Sequence, residues 1–97
     1  MKVKFEERQV KLSFGTRTGY VACLNREFGI YIYLVNNIWY RYFAETGEAP
    51  KQISEKDLTN IVYCVCDKND DEYLEAITDI RNFKEQKMFD FMSMLKF

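Results

Sequence analysis

Three short stretches of this sequence hold side chains at spacings that chemistry could use. Asp67, Asn69 and Asp71 alternate as the oxygen donors do at the start of a calcium loop, where every second side chain turns inward. The remainder of that loop is absent. Its sixth position is Glu72, where the sharp turn needs glycine, and its twelfth is Thr78, where a bidentate glutamate would close the site. The same residues suit the N-terminus of a helix, whose dipole favours acids in the first turn. Cys64 and Cys66 look like a metal pair, but two residues apart on a helix their side chains diverge by about 200°. With only Cys23 to add and no histidine, a closed tetrahedral site lacks ligands, and buried structural thiols are the expectation. Gly15 to Gly19, with Arg17 between the glycines, could cup a phosphate. It has no Walker pattern and no following helix, so a hairpin loop is expected there.

Catalysis has little to draw on. Histidine, the commonest general base, is absent, and no nucleophile-elbow, zinc-helix or dinucleotide-loop motif occurs. Carboxylates such as Glu27 and Glu45 lack an evident second member. No enzyme activity, metal or cofactor is therefore expected, and binding becomes the function to look for.

Ninety-seven residues, 47% hydrophobic and 30% charged, suit one α+β domain over residues 1–97 with a single core. That core is too small to hide every aromatic: 7 Tyr, 8 Phe and 1 Trp make up 16% of the chain. The net charge of −1 gives no global pull toward nucleic acid or an anionic membrane, although the first half leans basic and the second acidic. An odd number of cysteines, no apolar leader after Met1 and no apolar run of about 20 residues point to a reducing, cytoplasmic, non-membrane setting.

The first half reads as an antiparallel sheet of about four to five strands. Val3 and Phe5 occupy odd positions, whereas Val10, Leu12 and Phe14 occupy even ones, so a turn or bulge is expected within Glu6 to Gln9. Arg26 to Gly29 is a second turn. Asn36-Asn37 between two β-branched and aromatic runs predicts a two-residue hairpin, because asparagine tolerates positive φ. The second half reads as two or three helices packed on one face of the sheet. Ser54 is the N-cap of the first, with Asp57 at N3 and Ile53 stapled to Leu58. Asn69 caps the next.

The Asn36-Asn37 hairpin sorts its side chains. Tyr31, Tyr33, Val35, Ile38, Tyr40 and Tyr42 share one face. Ile30, Ile32, Leu34, Trp39, Arg41 and Phe43 share the other, which is the natural core side. Arg41 there must snorkel or pair with an acid. The four tyrosines, Tyr31, Tyr33, Tyr40 and Tyr42, either stabilise an exposed sheet or form a contact face, since Tyr suits half-wet interfaces.

Three uses of these features are expected. The first is a protein-binding module of the inhibitor or accessory type found among immunity and phage or plasmid counter-defence proteins. The tyrosine face anchors its partner, and an acidic patch of Asp67, Asp70, Asp71, Glu72 and Glu75 supplies charge. The alternative is a nucleic-acid binder that stacks single-stranded bases on the tyrosines with Arg17, Arg26 and Arg41 on the phosphates. The third is a homodimer sealed by the tyrosine face or by the C-terminal helix. There Met88, Phe91, Met92 and Leu95 form one stripe, with Phe89 and Phe97 off it. The same segment could instead dock deeply on its own sheet.

Overall fold

The structure is a computed structural model and describes residues 1–94. Five antiparallel strands, β1 (Glu6–Leu12), β2 (Gly15–Asn25), β3 (Ile30–Val35), β4 (Ile38–Phe43) and β5 (Lys51–Gln52), lie in chain order across one sheet. Two helices follow, α1 (Glu55–Val65) and α2 (Asp70–Met94), which makes the architecture α+β. None of the described helices is long and apolar enough to cross a membrane.

Local chemistry explains most of the boundaries. Asn36 and Asn37 both sit at positive φ, 51° and 66°, so the β3–β4 connection takes the primed turn whose twist matches the strands. The register follows, with Val35 opposite Ile38, Tyr33 opposite Tyr40 and Tyr31 opposite Tyr42. Ser54 accepts a hydrogen bond from the Asp57 amide at 3.1 Å and caps α1. Asn69 accepts one from the Glu72 amide at 3.0 Å and caps α2. Asp67 and Lys68, both in the left-handed region, turn the chain between the helices. From Asp70 onward α2 runs unbroken through Arg81–Lys87 to Met94.

The first hairpin departs from the expectation. Its turn is Ser13-Phe14, with Leu12 opposite Gly15, and Gly15 to Gly19 belongs to β2 instead of looping. The backbone of Gly15, Arg17 and Gly19 is spent on the β1–β2 ladder and that of Thr16 and Thr18 points the opposite way, so the amides of this extended stretch do not converge into a phosphate cup. Arg17 donates to the Thr16 carbonyl and lies over the Phe14 ring at 5.5 Å.

The expected bulge within Glu6 to Gln9 is also absent, because β1 pairs continuously with β2 from Glu6 to Leu12. The reason is that both faces of the sheet are apolar, at different places. Odd-numbered Val3 and Phe5 pack on the main core. This cluster joins Ala22, Leu24, Ile32, Leu34 and Trp39 of the sheet to Leu58, Val62, Cys66, Ala76, Ile77 and Ile80 of the helical half. Even-numbered Val10 and Leu12 lie on the opposite face and form a second buried cluster with Val35 and Tyr40. The hydrophobic pattern therefore changes parity although the strand does not.

Trp39 anchors the main core. Its indole N–H donates to Glu55 Oε1 at 3.2 Å, and Lys84 donates to the same oxygen at 2.9 Å while standing over the indole ring at 5.8 Å. Phe5 stacks on Phe83 at 4.2 Å and ties the N-terminal segment to α2.

Candidate functional site

The tyrosine face is a groove. Val10 and Leu12 of β1 share a buried cluster with Val35 and Tyr40 of β3 and β4, and Val10 and Val35 meet across Gly19 of β2, which has no side chain to separate them. The Arg8–Ser13 segment forms one wall, Ala44 and Gly47–Pro50 form the other, and Val21, Tyr31, Tyr33 and Tyr42 form the floor of a groove of about 780 Å³.

The four tyrosines divide in consequence. Tyr40 is only 6% exposed and belongs to the buried cluster beneath the groove. Tyr31, Tyr33 and Tyr42 are half-buried and present their rings. Tyr31 meets Tyr42 edge-on at 5.9 Å, and Tyr33 lies 6.0 Å from Tyr42 at a 33° tilt. Each ring limits the rotation of its neighbour, which lowers the entropy lost on contact with a ligand. Burial pushes the Tyr33 hydroxyl above the ordinary tyrosine value. The neighbouring Tyr42 and Tyr31 push the same way, and Arg8 opposes them.

Charge at the rim is largely compensated. Arg8 pairs with Glu6 at 2.6 Å, and Lys51 pairs with Glu48 at 3.0 Å. The Lys51 hydrogen bond, more than its charge alone, lowers the Glu48 carboxyl.

Arg17, Arg26 and Arg41 do not converge. Arg17 lies near the start of β2 and Arg26 in the turn beyond its end, nine positions or roughly 30 Å apart on an extended chain. Arg41 faces the helices, opposite Ile32, and stacks over Phe43 at 4.6 Å. It snorkels across an aromatic ring on the face away from the tyrosines.

The acidic residues gather at the α1–α2 connection and the first turns of α2. Asp67, Asp70, Asp71, Glu72 and Glu75 are all exposed. Asp70 accepts from the Tyr63 hydroxyl at 3.2 Å, which raises that hydroxyl's pKa, and Glu75 pairs with the N-terminal ammonium at 3.8 Å. The expected burial of the thiols holds for Cys66 alone: Cys23 and Cys64 are exposed, because Cys64 lies on the outer side of α1 while Cys66 at its C-cap turns into the main core. Among the described residues, no three Cys, Asp or Glu side chains are grouped to hold a metal ion.

The C-terminal half of α2 leaves Met88, Phe89, Phe91, Met92 and Met94 exposed, Phe89 at 66% and Met94 at 76%. Deep docking of this stretch on the sheet is thereby excluded. A second groove of about 650 Å³ lies between it and Thr18, Tyr20 and Leu34. Leu95 and Phe97 lie outside the described residues.

Comparison with known protein families, curated proteins and solved structures finds no match to this chain.

Proposed function

We propose that the chain is a non-enzymatic protein-binding module that occludes a partner protein, in the manner of inhibitors and of accessory proteins carried by mobile elements. The observation that carries this reading is the groove itself. Three half-buried tyrosines in edge and tilted ring contact, with buried Tyr40 beneath them, form its floor between two walls. Rigid aromatic bodies with polar tips are the residues that dominate interface energetics. The acidic surface at the start of α2 adds steering toward a basic partner. Three free thiols suit a reducing, cytoplasmic setting.

The nucleic-acid alternative has weaker support, because a stacking platform works with a basic track beside it. Arg41 lies on the opposite face, Arg17 and Arg26 lie far apart, and Arg8 is neutralised by Glu6.

The test compares wild type with Tyr42→Ala, Tyr31→Ala and an Arg17/Arg26/Arg41→Ala triple variant in affinity capture from the native host. A protein retained by wild type and the arginine variant, and lost from both tyrosine variants, supports the proposal. Tight, steeply salt-dependent binding of single-stranded oligonucleotides that the arginine variant abolishes would replace it with the alternative.

A further inference from the structure

β1 is an open margin of the sheet, and the alternation of antiparallel ladders identifies which of its groups are unpaired. A two-residue primed turn makes Val35 and Ile38 a hydrogen-bonded pair, so Val35, Tyr33 and Tyr31 bond toward β4. The Ile53 amide confirms the parity by donating to the Trp39 carbonyl at 3.0 Å on the β5 side. Leu34 and Ile32 then bond toward β2, through Tyr20 and Ala22. Val21, Gly19, Arg17 and Gly15 of β2 are left to bond Glu6, Arg8, Val10 and Leu12. The amides and carbonyls of Glu7, Gln9 and Lys11 therefore point away from the sheet.

Nothing described covers them. All three residues are exposed. The chain before β1 leaves toward α2, where the Val3 amide donates to Asp79 at 3.0 Å and Met1 pairs with Glu75.

Charged residues on an open edge usually deter pairing with another strand. In β1 they favour one pairing. If a second β1 lies antiparallel and centred on Gln9, the outward groups face outward groups at every position. Gln9 meets Gln9, and Glu7 meets Lys11 twice by symmetry. On the other face Arg8 meets Val10 and Glu6 meets Leu12, so no like charges are opposed. Centring on Arg8 or Lys11 instead opposes two arginines or two lysines, centring on Val10 sets Gln9 against Lys11 and Glu7 against Ser13 and forms no ion pair, and a one-residue offset puts outward groups against inward ones. Neither Glu7 nor Lys11 has an ion-pair partner among the described residues of its own chain.

We infer that β1 is a self-pairing edge: a second copy of this chain adds its β1 antiparallel to the first in the Gln9-centred register, joining two five-stranded sheets into one. About six main-chain hydrogen bonds and two ion pairs hold a contact of this length, which belongs to the small, concentration-dependent class of interfaces. The inference does not depend on what the tyrosine groove binds.

Sedimentation equilibrium over about 10 to 300 µM provides the test, with circular dichroism to confirm the fold of each variant. Wild type approaches twice the chain mass of 11.7 kDa with rising concentration. Glu7→Lys and Lys11→Glu each oppose like charges twice and weaken the dimer by about tenfold or more, and the double exchange restores it. Gln9→Pro removes an outward amide without touching the β1–β2 ladder and also yields monomer. A wild type that stays monomeric across the range overturns the proposal. So does a dimer indifferent to the single charge reversals, which would place the contact elsewhere, such as the Met- and Phe-rich end of α2.

Discussion

Gly19 lies so close beneath Val35 that no side chain fits between them. A β-carbon on Gly19 would come within 2.7 Å of Val35 Cγ2 and 2.9 Å of the Leu34 carbonyl oxygen. Val10 Cγ2 closes in from the other side at 3.3 Å, so the glycine leaves the space in which Val10 and Val35 build the second buried cluster. Gly19→Ala is expected to destabilise the fold by about 2 kcal/mol, because the backbone oxygen cannot move aside. Urea titration measures it, and a loss under about 0.5 kcal/mol, the range of an ordinary surface change, would show that the packing around Gly19 relaxes easily.

The β3–β4 turn gives a prediction of opposite sign. Asn37 holds φ at 66°, a conformation that glycine adopts without a β-carbon penalty. Asn37→Gly is expected to leave stability unchanged or raise it slightly. Asn37→Val costs about 1–2 kcal/mol. Thermal melts should therefore place Asn37→Gly at or slightly above wild type and Asn37→Val below it.

Glu55 supports Trp39 from outside the core. The indole is buried, so removing its acceptor leaves a donor without a partner. Glu55→Ala should cost about 1–2 kcal/mol and shift the tryptophan emission. Lys84→Ala should cost less, since the indole N–H keeps its partner. Equal losses from the two variants would mean that the cation over the ring matters as much as the hydrogen bond.

Burial pushes the Cys66 thiol above its ordinary pKa, and the nearby Glu72 and Asp67 push the same way against the N-terminal charge. A proton held more tightly in the folded state means that the stability it contributes is complete at low pH. That contribution fades as pH rises through the alkaline range, above about pH 9. Tyr33 acts in the same direction at higher pH. Chemical denaturation between pH 7 and 10 should show stability falling with pH, and Cys66→Ala should flatten the lower part of that fall. In the native state, Cys23 and Cys64 should react quickly with a thiol reagent, and Cys66 only on unfolding. Rapid reaction of three thiols would contradict the burial of Cys66.

Local signals carried much of the fold. The Asn36-Asn37 turn, the register and facing of β3 and β4, the Ser54 and Asn69 caps and the divergence of Cys64 from Cys66 all depend on residues a few positions apart. Turn conformation, strand alternation and helix rotation act at that range. The misplaced first hairpin shows the limit. Gly15 and Gly19 look like loop punctuation, yet Gly19 is a glycine because Val10 and Val35 meet across it, a requirement set by residues far apart in the chain.

The same distinction governs the candidate site. The amino-acid sequence by itself determined that Tyr31, Tyr33, Tyr40 and Tyr42 share one face, because a two-residue hairpin leaves no other sorting. Only the tertiary structure decided that Tyr40 sinks under the groove while the other three line it, and that Arg41 stands on the far face. Those outcomes follow from how Val10 and Leu12 pack on Val35 and Tyr40 across Gly19. Contacts among β1, β3 and β4 are encoded by no local pattern, since each strand reads as apolar without stating which apolar surface it will meet.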